Sequence, residues 1–225
     1  MYNRPMKAVL FDYGGTLDSD GASWLERFYP IYLENGIDVP RERFDRAFYD
    51  ADDGLPGRAL DGLDLEGTLR LQVRAVLDAV APGRGDLVPV IAGRFAEDSR
   101  RHFRRLKPVL EKLLRRYRLG VASNFYGNLD GLLRAEGLGG IFSVVADSGA
   151  LGVAKPDPEI FLQAARALGS LPGECVMVGD SIPRDIAGAA AAGMKTALVC
   201  ASPHAPAAGQ DWTVTSVAEL DGVLG

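Results

Sequence analysis

Five short apolar runs, at residues 8–11, 119–122, 144–146, 176–178 and 196–200, constrain the fold of this chain more than any other feature. They are rich in Val and Leu, and each gives way to polar or glycine residues. Runs of this kind read as strands buried on both faces of a parallel sheet. Helical patterns at 108–117, 127–136, 158–168 and 183–192 lie between most of them. Strand and helix therefore alternate, which predicts an α/β sheet covered on both faces. A surface loop at 203–209, a short strand near 212–215 and a closing helix complete the expected order.

Residues 19–103 break the alternation. Apolar positions there recur at helical spacing, as in Trp24, Leu25, Phe28, Ile31 and Tyr32, or Leu65, Leu69, Val73, Val76 and Leu77. The segment reads as an all-helical insertion, divided by Gly- and Pro-containing breaks at 54–57 and 81–85. Trp24, Phe28, Tyr29 and Tyr32 are expected in the core of that insertion, with part of the stripe able to face a cleft.

Charge and cysteine usage exclude some functions. Thirty acidic against 25 basic residues give a net charge of -5, with no overall attraction to nucleic acid or anionic lipid. The one dense basic cluster, RRHFRRLK at 100–107, would spread its charges around Phe103 and Leu106 as a solvated helix end. Cys175 and Cys200 stand beside apolar stretches, as buried thiols of a reducing compartment would. No apolar run reaches the length of about 18 residues that a membrane helix needs, and MYNRPMKAVLF carries no signal-peptide core. A cytoplasmic protein, monomeric or homodimeric, without membrane or nucleic-acid partners is expected. Dinucleotide and P-loop glycine motifs are missing from the sequence. His102 and His204 stand alone and are expected on the surface or in loops.

Chemistry-bearing residues collect at the ends of the apolar runs, where parallel sheets bind ligands. The first run leads into FDYGGTLD at 11–18, with Asp12 at the strand end. Gly14 and Gly15 let backbone amides approach an anion, and Thr16 can orient the loop. Ser123 and Asn124 follow the second run, where they could bind a phosphoryl oxygen or cap the next helix. Lys155, within GVAKPDPEIF at 152–161, offers a compact positive charge before a Pro-started helix. In VMVGDSIPRDIAGA at 176–189, Asp180 ends a strand and Asp185 lies five residues on. Two hard oxygen ligands there suit magnesium, although Asp185 also fits a helix cap.

In this order and at these strand ends, the four motifs resemble those of the haloacid dehalogenase-like hydrolases, over nearly the whole chain. The resemblance implies a Rossmann-like core, residues 1–18 and 104–225, and a helical cap, residues 19–103. It implies Asp12 as nucleophile, Ser123 and Lys155 as catalytic partners, and phosphate binding by Gly15, Thr16, Ser123, Asn124 and Lys155. It also implies Mg2+ held by Asp12, the Gly14 carbonyl, Asp180 and Asp185, and a small phosphorylated substrate.

One position departs from that pattern. Phosphatases of the superfamily usually carry a second Asp two residues after the nucleophile, which protonates the leaving group, and here Gly14 stands in its place. Three readings stay open. The first is a phosphatase whose substrate needs little protonation, or whose proton comes from the cap, with Asp18, Asp20, Asp52 and Asp53 as candidates. The second is dehalogenase or phosphonatase chemistry, the latter without an obvious cap lysine because none lies between Asp18 and Lys107. The third is a non-hydrolytic phosphate-ligand or partner-binding protein.

Overall fold

The computed structural model describes residues 5–56, 60–202 and 207–224. Its six strands form one parallel sheet: β1 (Ala8–Phe11), β2 (Arg118–Ser123), β3 (Val144–Asp147), β4 (Cys175–Gly179), β5 (Lys195–Val199) and β6 (Trp212–Val214). Their order is β3-β2-β1-β4-β5-β6. From β1 the chain builds the sheet first towards β3 and then, from β4, in the opposite direction. That reversal opens a crevice beyond the carboxyl ends of β1 and β4, the usual ligand site of a doubly wound sheet.

Both faces of the sheet are covered, as the continuous apolar runs require. In β1, Ala8 and Leu10 join one core cluster with Ile160 and Phe161, while Val9 and Phe11 join the other, larger one. The alternation follows from the two-residue period of a strand.

Among the described residues, four α-helices occupy the interval between β1 and β2: α1 (Trp24–Glu34), α2 (Arg41–Asp53), α3 (Leu65–Val80) and α4 (Val88–Leu114). Ser23 caps α1 and Asp64 caps α3, each side chain accepting a backbone N–H from the first turn. The α1 stripe of Trp24, Phe28, Ile31 and Tyr32 is buried, and Phe28 stacks on Phe95 of α4 with centroids 4.0 Å apart. Aromatic pairs like this contribute about 0.5–1.5 kcal/mol beyond area burial.

The helix expected to begin at residue 108 is part of α4, which runs 27 residues through Pro108 and across the expected 103/104 boundary. Its buried positions Phe95, Ser99, Phe103, Leu106, Leu110 and Leu113 follow one stripe on both sides of the proline, so continuous packing overrides the local break.

After β2 come α5 (Leu129–Leu133), α6 (Ser148–Leu151) and α7 (Pro158–Ala167), then α8 (Ala187–Ala191) after β4 and α9 (Leu220–Val223) after β6. The expected helix at 127–136 begins at Leu129 and runs into a turn at Arg134–Leu138 that Gly137 breaks with φ +79°, and the one at 183–192 opens with a widened turn at Ile182–Ile186. His204 and much of the expected 203–209 loop lie outside the described residues.

Two expectations about burial need correction. His102 lies on the buried stripe of α4, its Nδ1 2.7 Å from Arg105 and its Nε2 3.7 Å from Asp20. Burial, partly offset by Asp20, holds its pKa below the usual value. Cys175 is buried as expected, but Cys200 is only half-buried. Arg100, Arg101, Arg104 and Arg105 of the basic cluster each pair with a carboxylate. No helix among the described residues is long and apolar enough to cross a membrane.

Candidate active site

Asp12 stands one residue beyond β1, and its N–H extends the sheet ladder to Val178 O at 2.8 Å. The carboxylate is held on one side only. Ser123 Oγ donates to Asp12 Oδ1 at 2.8 Å, and Lys155 Nζ donates to the same oxygen at 2.6 Å. Among the described residues Oδ2 accepts no hydrogen bond, and Asp12 lines a cleft of about 110 Å³. One oxygen is thus anchored while the other is unengaged.

Lys155 is buried and also donates to Asp185 Oδ1 at 2.6 Å. Its position is set through the main chain, because Asn124 clamps it at both ends. Lys155 N donates to Asn124 Oδ1 at 2.7 Å, and Asn124 Nδ2 donates to Lys155 O at 3.0 Å. Asn124, expected at the phosphate, lines the cleft, and its side chain joins the loops after β2 and before α7.

Asp185 is fully buried, and its Oδ2 accepts the Ser181 N–H at 2.9 Å. It fits there because residue 179 is glycine: a Cβ at that position would lie 2.3 Å from Asp185 Oδ2. Gly15 makes equivalent room for Asp180. Its φ is +95°, and a Cβ would fall 2.5 Å from Asp180 Oδ2. The Gly15 N–H, expected to face an anion, donates instead to Asp18 Oδ1 at 2.8 Å. Thr16 is fully buried, its hydroxyl 3.4 Å from Asp180 Oδ1. Gly15 and Thr16 therefore shape the support of Asp180 rather than the cleft wall.

Carboxylate oxygens of Asp12, Asp180 and Asp185 lie within 4.8 Å of one another. Three carboxylates against one ammonium leave two negative charges uncompensated in a largely buried cluster. Burial first, then Asp12 and Asp185, push the Asp180 pKa up to about 8. Burial also raises Asp185, to about 6, against the pull of Lys155. Burial alone would lower Lys155, but Asp12 and Asp185 more than reverse it and raise its pKa. Frustration of this kind is what a divalent cation relieves, and an all-oxygen donor set suits magnesium.

At Gly14 the cleft wall is aromatic. A Cβ there would lie 3.0 Å from Trp24 Nε1, so the α1 indole fills the space beside the position where an acid would branch. The indole N–H donates to Asp18 Oδ2 at 2.7 Å. Asp18 Oδ2 also receives Arg27 and Ser99 Oγ, which ties the strand-end turn to α1 and α4.

The insertion closes the other side with Phe48, Tyr49 and Asp52 of α2, opposite Tyr126 and Arg184. Sequence reasoning overlooked Tyr126 and Arg184 and could not choose Asp52. The available signal was that Asp52 borders the α2 stripe of Phe44, Phe48 and Ala51 at helical spacing, a polar residue at the edge of an apolar face.

Residues 6–193 match the family described as haloacid dehalogenase-like hydrolase. A glyceraldehyde 3-phosphate phosphatase of Methanopyrus kandleri is 48% identical over 63 residues, which is 28% of this chain and 27% of that protein. A phosphoserine phosphatase of Thermus thermophilus is 40% identical over 90 residues, 39% of this chain and 36% of that protein. The chain thus spans about a quarter to a third of the length of these relatives. The crystal structure of a HAD phosphatase from Thermococcus onnurineus superposes with a TM-score of 0.61 at 25% identity, covering 98% of each chain.

Proposed function

We propose that this chain, which belongs to the haloacid dehalogenase-like hydrolase family, is a phosphatase acting on a small phosphorylated metabolite through an aspartyl-phosphate on Asp12. The carrying observation is the one-sided anchoring of Asp12, with Ser123 and Lys155 on Oδ1 and, among the described residues, no hydrogen bond on Oδ2. A carboxylate fixed in this way presents one oxygen lone pair in a defined direction, which in-line attack on phosphorus requires.

Asp12, Asp180 and Asp185 would hold Mg2+, with the Gly14 carbonyl as a further oxygen. Bound there, the ion would neutralise charge on the nucleophile and on the phosphoryl oxygens. Lys155 adds positive charge on the Asp12 side, and Ser123 holds the nucleophile's orientation while its hydroxyl borders the incoming phosphoryl group. Attack by Asp12 Oδ2 splits one difficult displacement into two, formation and hydrolysis of the acyl phosphate. Pockets for drug-sized ligands run to about 300–1,000 Å³, so a cleft of about 110 Å³ suits a small phosphorylated metabolite. The acidic cluster favours phosphoryl transfer over dehalogenation, which by family resemblance needs no cation.

Phosphate release from a panel of aryl, acyl and alkyl phosphates, with and without magnesium, tests the reading. Magnesium-dependent turnover that vanishes in Asp12→Asn is expected. Turnover unaffected by Asp12→Asn, or release of halide but not phosphate, would overturn it.

A further inference from the structure

Gly14 leaves the reaction without the usual acid, and Trp24 packs against its Cα, so a proton must come from elsewhere in the cleft. Four carboxylates of the strand-end turn and the insertion are near in sequence, and the structure separates them. Both oxygens of Asp18 are hydrogen-bonded in a buried site, to Gly15 N on one side and to Trp24, Arg27 and Ser99 on the other. Asp20 faces His102 and Arg105. Asp53 is exposed and does not line the cleft. Asp52 lines it together with Asp12.

Building on the phosphatase reading, we propose that Asp52 is the acid–base residue of the reaction, supplied by the insertion in place of the acid missing at Gly14. Its geometry suits proton transfer. Tyr126 Oη and Gln72 Nε2 both donate to Asp52 Oδ1, the latter at 3.1 Å, and among the described residues Oδ2 has no hydrogen-bond partner. The two donors come from the loop after β2 and from α3, so the carboxyl is fixed from both sides of the cleft. That loop is itself rigidly placed, with Asp147 accepting the N–H groups of Gly127 and Leu129 and Ser148 bonding Phe125. Burial, reinforced by neighbouring Asp53, raises the Asp52 pKa, while Tyr126 and Arg184 oppose the rise. A raised pKa brings a carboxyl closer to the neutral-pH range where it can both donate and accept a proton.

In the first step the Asp12 Oδ2–phosphorus bond forms as the bond from phosphorus to the leaving oxygen breaks, and the Asp52 proton passes to that oxygen. An alcohol leaves and Asp52 remains as carboxylate. In the second step a water oxygen bonds to phosphorus, its proton returns to Asp52, and the Asp12–phosphorus bond breaks. Phosphate, carboxylate Asp12 and protonated Asp52 result, so protons and electron pairs balance.

The test compares wild type, Asp52→Asn and Asp12→Asn, as full chains with magnesium, on 4-nitrophenyl phosphate and on an alkyl phosphate. Nitrophenolate leaves without a proton and an alkoxide does not. In Asp52→Asn, kcat/KM on the alkyl ester should fall about 10²–10⁴-fold and on the nitrophenyl ester less than about tenfold. Equal losses on both esters, or none on the alkyl ester, would overturn the proposal while leaving the nucleophile reading intact. Turnover surviving in Asp12→Asn, or absent from wild type, would overturn both. Should Asp52→Asn fail to fold, the wild-type pH profiles decide. The alkyl rate must fall on an alkaline limb that the nitrophenyl rate lacks, and coincident profiles would refute the role.

Discussion

Restoring aspartate at position 14 is the obvious repair suggested by sequence alone, and the structure indicates why it should misfire. The backbone does not object: Gly14 has φ -77° and ψ 115°, open to any L-residue, and replacing glycine in an allowed conformation gains about 0.4–1 kcal/mol through the unfolded chain. The obstacle is Trp24. A Cβ would sit 3.0 Å from its Nε1 and 3.3 Å from Cδ1, and the carboxylate must extend further still. Tyr13, Phe28, Phe95 and Phe125 surround the indole with centroids 5.3–6.3 Å away, so it has little room to move. Overpacking typically costs about 1–3 kcal/mol, and losing the indole bond to the charged Asp18 costs about 1.5–3 kcal/mol. After the backbone gain, Gly14→Asp should destabilise by about 3 kcal/mol, a drop in Tm of about 6–12 °C for a chain of this size. Thermal unfolding gives the first readout, and phosphate release from an alkyl ester the second, with no gain expected in the single variant. Adding Trp24→Leu should recover part of the loss, with a favourable coupling of about 1–2 kcal/mol in the double-mutant cycle. A Gly14→Asp protein that melts with wild type and hydrolyses alkyl phosphates faster would refute the steric reasoning.

Two further outcomes follow from the cluster. Asp180 and Asp185 have folded-state pKa values of about 8 and about 6, above the ordinary 3.8, so the folded protein holds more protons than the unfolded chain across that interval. Their favourable contribution is complete below about pH 4 and is lost as pH rises through 6 and then 8. Melting curves in EDTA should therefore show Tm falling from pH 5 to 8 through these groups, with the stabilisation by magnesium growing over the same range; a magnesium effect independent of pH would contradict this. Asn124→Ala strips both ends of the Lys155 clamp and leaves a main-chain N–H unpaired, costing about 1–3 kcal/mol by denaturant unfolding and lowering kcat/KM on every phosphate ester alike; a loss confined to one ester class would give Asn124 a different role.

Asp12, Ser123 and Asp180 were legible in the sequence because each sits at the end of a strand, and strands announce themselves as short apolar runs; Lys155 and Asp185 stand in the loop and helical turn that follow β3 and β4. Asp12, Ser123, Lys155, Asp180 and Asp185 all converge where the strand order reverses, and Asp12, Asp180 and Asp185 form one acidic cluster. What escaped was carried by packing between elements distant in sequence. Asp52 meets Gln72 and Tyr126 only when α2, α3 and the loop after β2 assemble. Asn124 read equally well as a ligand or a cap, and its partnership with Lys155 spans 31 residues. Pro108 looked like a helix start because local rules favour it there, whereas a buried stripe on both sides holds α4 together. His102 looked solitary because its neighbours Asp20 and Arg105 sit among abundant charges, with no spacing to mark them.

The continuity of α4 makes the two links between insertion and sheet mechanically unequal. One is the short stretch from the Asp12 turn to Ser23; the other is a beam of 27 residues, about 40 Å long at 1.5 Å per residue, embedded in the insertion at one end and against the sheet at the other. Widening of the cleft cannot be a free swing about a loop on that side. Either the beam travels whole, dragging its packing against the sheet, or it flexes where its ladder is already interrupted, at Pro108, which has no N–H to offer the carbonyl of Arg104. The aperture of the cleft is therefore governed by the stiffness of one helix around a single missing donor.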